Sequence, residues 1–160
     1  MTRISIREAL PGDAPVITHF IRLMLEEMTS MGGHEVTKAD EEWKRIQGMI
    51  EDGINSEDHI YLLADVADPP RTSIGVVEAQ VVTLGDVFEP KKILHIRSVY
   101  VLDNHRRKGV ARALLKAVLD WGRSVGCAEA DLNVLSANPA RALYEKLGFR
   151  TFRLKMVRKL

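Results

Sequence analysis

The 160-residue chain reads as one α/β domain with a mixed central sheet flanked by helices. Three observations carry this reading. β-Branched runs alternate with segments whose apolar residues recur at helical spacing, in the order βααβββαβαβ. Hydrophobic residues make up 46% and charged residues 28%, an ordinary balance for one closed core. No internal repeat, low-complexity stretch or linker interrupts the chain, so residues 1–160 are expected to form a single domain.

The elements follow in order. Ile4-Ser5-Ile6 alternates like a short first strand. Pro11-Gly12-Asp13 is a turn, with Asp13 placed to cap a helix and Pro15 tolerated in its first turn. Val16, Ile17, Phe20, Met24 and Met28 continue that helix until Met31-Gly32-Gly33. A second, more polar helix is predicted from about Lys38 to Asp52, stopped by Gly53. Ile60–Ala64, Ser73–Val82 and Ile93–Val101 read as three successive strands, the first closed by Pro69-Pro70. A helix from about Lys108 to Val125 carries Val110, Leu114, Val118 and Trp121 on one face. Ala130–Leu135 is a strand. Asn138 and Pro139 open a short helix through Leu147, and Phe149–Val157 is predicted to close the sheet.

Composition excludes several classes. No stretch is apolar enough to span a bilayer, and MTRISIREAL lacks the apolar run of a secretory signal. A single cysteine, Cys127, fits a reducing compartment, so a cytoplasmic protein without a membrane partner is expected. Cys127 adjoins no histidine in sequence and is read as a buried structural thiol. The five histidines show no zinc spacing, and no metal is expected. Net charge is only +1, but it is unevenly distributed. Glu26–Asp58 holds ten acids against three bases, and Lys91–Ala128 holds nine bases against two acids. These segments either face oppositely charged partners or are solvated faces.

Ile96–Ala113, IRSVYVLDNHRRKGVARA, carries the chemistry. A β-branched strand runs into a basic turn, a glycine and a helix rich in small residues. Helix N-termini leave N–H groups unpaired and carry partial positive charge, which suits a phosphate. Gly109 lacks a Cβ and Ala111 is small, while Arg106, Arg107, Lys108 and Arg112 add charge around them. The alternative is an ordinary strand–turn–helix with a basic rim.

Arg106-Arg107-Lys108-Gly109-Val110-Ala111 fits R/Q-x-x-G-x-G/A. Some thirty residues on, Asn138 to Phe149, NPARALYEKLGF, fits N-x-x-A-x-x-(L/F)-Y-x-K-x-G-F to within a residue of spacing. Together these motifs resemble the GCN5-related N-acetyltransferase (GNAT) family from about Leu94 to Phe149. The resemblance implies a mostly antiparallel sheet whose fourth and fifth strands splay, with acetyl-CoA in the splay. By position, the backbone of Val99, Tyr100 and Val101 would contact pantetheine and the acetyl carbonyl, with Val101 N–H polarising the latter. Arg106 to Arg112, including Val110, would wrap the pyrophosphate. Asn138 would contact the pantetheine arm, and Arg141 or Lys146 would reach the ADP end. The same resemblance allows a homodimer.

The implied function is acetyl transfer to a primary amine, on a small molecule or a peptide, by direct attack in a ternary complex. The attacked carbonyl needs a donor and the departing thiolate a proton. Tyr144 matches the family tyrosine and is the candidate acid. Many family members carry a glutamate base two residues before the position of Val99; this chain has Arg97 there, so Glu78 on the preceding strand and His95 are the candidate bases. Glu26, Glu27 and Glu35 are candidates for attracting the cationic acceptor, beside Met24, Met28 and Met31. Arg97 also motivates a rival, a non-catalytic acyl-CoA-binding module of the same fold. A nucleic-acid partner is not expected, because no aromatic stacking platform accompanies the basic residues.

Overall fold

A computed structural model describes residues 3–67 and 70–160. Five strands, β1 (Ile4–Glu8), β2 (His59–Val66), β3 (Thr72–Thr83), β4 (Lys92–Val101) and β5 (Glu129–Leu132), form one sheet in chain order. The first three pairings are antiparallel and β4–β5 is parallel. Helices α1 (Ala14–Ser30) and α2 (Asp40–Ile54) precede β2; α3 (Val110–Ser124) links β4 to β5; α4 (Arg141–Lys146) follows.

Side chains alternate across the sheet and so divide the core in two. Leu62, Ile74, Val77 and Leu94 pack on Val110, Leu114, Leu115 and Val118 of α3. Leu63, Val76 and Tyr100 pack on Ile17, Phe20 and Ile21 of α1 and Ile50 of α2. Asp65, fully buried in β2, accepts hydrogen bonds from Arg7 (2.7 Å) and Ser73 (2.7 Å) and pairs with Arg71 at 2.6 Å. No described helix is long and apolar enough to cross a membrane.

Local differences from the sequence reading have physical causes. Asp13 does not cap α1: its carboxylate turns back to accept the Leu10 N–H at 2.7 Å and pairs with Arg7 at 2.6 Å. Gly53 does not stop α2 but lies buried within its last turn, where a Cβ would stand 3.0 Å from the Tyr61 hydroxyl. Asn138 caps a turn instead of a helix, accepting the Ala140 N–H at 2.9 Å, and α4 starts at Arg141. β5 ends at Leu132, three residues early. The closing strand is absent: residues 149–160 form no regular structure. Alternation marks a capacity to pair, but pairing needs a neighbour. Pro69, expected to close β2 with Pro70, lies outside the described residues.

Candidate active site

The parallel pairing of β4 with β5 covers only Ile93–Ile96 against Glu129–Leu132. At that point β4 carries a bulge: Ala79 faces Ile96 and Glu78 faces Ser98, so Arg97 is the extra residue. The bulge shifts the alternation by one. Leu94 and Ile96 before it, and Val99 and Val101 after it, all pack on the α3 side. Tyr100 turns to α1 instead.

The bulge also fixes which backbone groups are free. Leu102 N–H bonds the Ile74 carbonyl at 2.9 Å. In an antiparallel ladder residues address one neighbour and then the other, so Ser98 and Tyr100 also pair with β3. Val99 and Val101 therefore direct N–H and C=O to the opposite edge, into the gap left by β5. The Val101 carbonyl accepts Arg106 Nε there at 2.8 Å. The resulting cleft, about 180 Å³, has Met24 and Met28 on one side and Asn138 and Tyr144 on the other, over Ser98 and Val99.

Tyr144 is half-buried against Phe149, with ring centroids 6.1 Å apart. Its hydroxyl makes no hydrogen bond among the described residues. Burial raises its pKa above the ordinary tyrosine value, so the phenol keeps its proton at neutral pH.

Glu78 sits beneath Ser98, between two strands whose opposite residues point the same way. Tyr61 on β2 and Ser98 on β4 both pair directly with Glu78. Ser98 Oγ donates to Glu78 at 2.8 Å and Tyr61 Oη at 3.3 Å. Arg97 Nε lies 3.3 Å away and His59 Nε2 3.5 Å away. Burial pushes the carboxyl pKa up, but His59, Ser98 and Arg97 outweigh it, and the pKa falls below the ordinary value. The serine that joins this buried carboxylate to the cleft was missed in the sequence reading. Its only signal was the polar pair Arg97-Ser98 breaking a β-branched strand.

Other predicted residues fall elsewhere. His95 faces Asp131 across the paired part of the two strands, 2.6 Å away, and does not line the cleft. Arg106 and Glu27 engage each other: two bonds of 2.9 and 2.7 Å join the guanidinium to the carboxylate, and the guanidinium lies 5.3 Å from the Tyr100 ring centroid. This pair ties α1 to the end of β4, so neither charge stands free for pyrophosphate or amine. Glu26 pairs with Arg22 at 3.1 Å, and Glu35 is exposed. Arg141 pairs with Glu145 at 2.9 Å; Lys146 is exposed nearby. Cys127 is only partly buried, and burial raises its thiol pKa.

At the basic turn, Arg107 (φ 61°) and Gly109 (φ 83°) both adopt left-handed backbone. The first in-helix bond runs from Ala113 N–H to the Gly109 carbonyl at 3.0 Å, so the N–H groups of Val110, Ala111 and Arg112 precede the ladder and stay unpaired within it. A Cβ built on Gly109 meets nothing within 4 Å. Lys108 folds back to donate to the Asn104 carbonyl at 2.9 Å, while Arg107 and Arg112 are exposed. Consecutive amides of this kind form a concave anion site.

Residues 21–149 match the model of the acetyltransferase (GNAT) family, well over half of the chain. This chain belongs to the GNAT family. Its relatives include human N-acetyltransferase 8, 33% identical over 86 residues, a stretch that takes in 53% of this chain and only 37% of the relative. Among solved structures, the GNAT fold seen here matches aminoglycoside N-acetyltransferase AAC(6')-Iy in complex with CoA, with a TM-score of 0.75 and 20% identity over 99% of this chain and 96% of that one. Glucosamine-6-phosphate N-acetyltransferase from Arabidopsis thaliana matches with a TM-score of 0.70 and 20% identity, covering 98% of each chain.

Proposed function

We propose that this GNAT chain transfers the acetyl group of acetyl-CoA to a primary amine, on a small molecule or a peptide, within a ternary complex. The observation that carries this is the parting of β4 from β5 just beyond Ile96, which leaves Val99 lining a cleft that Tyr144 also lines, with Val101 two residues farther along the same strand edge. An extended ligand can pair with such an edge as a peptide does. The solved relatives named above include a CoA complex, and another structure of the same aminoglycoside enzyme holds a CoA–acetylneamine bisubstrate analogue.

The residues present fit acetyl-CoA. Val99 would pair with the pantetheine arm, Asn138 would flank it, and the amides of Val110, Ala111 and Arg112 would hold the pyrophosphate, with Arg107 and Arg112 adding charge. Acetyl-CoA supplies an activated acetyl thioester. Val101 N–H would hold the acetyl oxygen and take up the charge that develops there. Tyr144 would give its proton to the departing sulfur.

The base is Glu78, acting through Ser98. As the amine attacks, Ser98 Oγ takes its proton and passes its own to the Glu78 carboxylate, 2.8 Å away. Thus the carboxylate displaced from the Arg97 position is supplied by the neighbouring strand, which favours turnover over non-catalytic CoA binding.

Calorimetric titration with acetyl-CoA tests the reading, with Gly109→Asp as control. The wild type is expected to bind in the micromolar range, and the variant, which puts a side chain on a left-handed residue (φ 83°) and a negative charge beside the pyrophosphate amides, to lose binding. Absence of wild-type binding would overturn the cofactor assignment. Release of CoA thiol across a panel of amines then identifies the acceptor.

A further inference from the structure

In catalysis Arg97 serves only as a neighbour of Glu78, yet its placement is unusual. It is the extra residue of the β4 bulge, and a bulge re-aims the side chains around it. The guanidinium comes to the face that holds Glu78 and to the wall of the cleft. Nε lies 3.3 Å from Glu78, and Nη1 donates to Gln80 Oε1 at 3.2 Å. Nη2 has no partner among the described residues, and the side chain is 48% exposed.

Among the described residues, Arg97 is the only charged side chain that lines the cleft. The acids expected to draw in a cationic acceptor do not serve there. Glu27 is held by Arg106, Glu26 pairs with Arg22, and Glu35 does not line the cleft. Glu78 is buried beneath Ser98 and accepts from Ser98 and Tyr61. Met24, Leu25 and Met28 of α1 give the cleft an apolar wall. With the cofactor running from Val99 toward α3, the Arg97 end of the cleft falls to the acceptor. An acceptor there meets a cation, an apolar wall and, one residue on, the Ser98 hydroxyl.

We infer that the acceptor is an amine with a carboxylate close by, an α-amino acid with an apolar side chain, and that Arg97 binds the carboxylate. This rests on the acetyl-transfer reading of the same cleft. The Nη edge of a guanidinium presents parallel N–H groups that match the two oxygens of a carboxylate. A single guanidinium shared with Glu78 balances one negative charge at most, which favours a carboxylate over a phosphate dianion. Ser98 Oγ and Arg97 Nε stand 2.8 and 3.3 Å from the same Glu78 carboxylate, so amine and carboxylate must lie a few bonds apart, as they do on one α-carbon. A polycationic amine finds no unpaired acid lining this cleft, so aminoglycosides are poor acceptors here, although the fold matches an aminoglycoside N-acetyltransferase.

Calorimetry on the full chain loaded with CoA tests this without turnover. The probes are phenylalanine, its phosphonate analogue, 2-phenylethylamine and an aminoglycoside, with release of CoA thiol from acetyl-CoA followed in parallel. Phenylalanine is expected to bind roughly tenfold to a hundredfold more tightly than 2-phenylethylamine, which has the same body without the carboxylate. Arg97→Gln should bring that ratio to within about threefold of one, and Arg97→Lys should keep part of it. The ratio is taken within each protein, so a general effect of the variant on Glu78 or on folding cancels. Equal binding of the two, tighter binding of the phosphonate or the aminoglycoside, or a preference that survives Arg97→Gln would overturn the inference. An Arg97-dependent preference without thiol release would uphold the carboxylate site and overturn the acetyl-transfer reading instead. A wild type that does not bind CoA would overturn both.

Discussion

Replacing Glu78 by glutamine separates the base from the scaffold. The amide matches the carboxylate in shape, so Ser98 Oγ keeps an acceptor at 2.8 Å. Arg97 loses an ionic partner at 3.3 Å, but its side chain is 48% exposed and can turn to water, so that loss is small. An uncharged group also costs less to bury at a site that is only 8% exposed. These terms offset one another, and stability is expected to change by no more than about 1 kcal/mol. Catalysis has no such offset. An amide cannot accept a proton from Ser98, so the general-base contribution, typically about 10²- to 10⁴-fold, is lost. That corresponds to roughly 3–5 kcal/mol of transition-state stabilisation. The assay is release of CoA thiol with the amine found in the screen, across pH 6 to 9. Because the Glu78 pKa lies below the ordinary value, the carboxylate is ionised throughout this range. The rise of rate with pH therefore reports the amine, and the variant should lower the whole profile without moving it. A variant that keeps more than half of the wild-type kcat would refute the assignment and make Glu78 a structural residue.

Other outcomes follow from the same geometry. Tyr144→Phe removes a hydroxyl that no described residue engages, so melting should not change, while kcat falls about a hundredfold. Gly53→Ala gains about 1 kcal/mol of helix propensity but drives a methyl to 3.0 Å from the buried Tyr61 hydroxyl; overpacking costs about 1–3 kcal/mol, so urea denaturation should show a net loss. Asp65→Asn leaves Arg7 and Arg71 without their buried counter-charge and should cost about 2–3 kcal/mol by the same measurement. Acid titration gives a sign. Asp13, Asp65 and Glu78 all have pKa values depressed in the fold, below ordinary values of 3.8, 3.8 and 4.5. Their contributions are complete above those ordinary values and are lost as pH falls through the folded ones. Unfolding free energy should therefore drop below about pH 4.5, and Glu78→Gln should make that drop shallower by up to about 1.4 kcal/mol per pH unit.

The sequence by itself determined the element order through Gly148 and the position of the basic turn. These properties are local. Apolar period separates helix from strand, and Gly109 marks a left-handed residue before a helix. Tyr144 was also named from the chain, by its match to the family motif, and Glu78 as a carboxylate on the preceding strand, but neither with its contacts. The tertiary structure decided what they touch. The one-residue bulge at Arg97 changes which face Ser98 presents, and no linear pattern reports a bulge, because it exists only relative to the neighbouring strand. Charge pairing was equally invisible: Arg106 and Glu27 are 79 residues apart, and only folding showed that they neutralise each other. The last strand failed for the same reason. Phe152, Leu154 and Met156 alternate as a strand should, but alternation states what a segment can pair with, and the partner has to come from elsewhere in space.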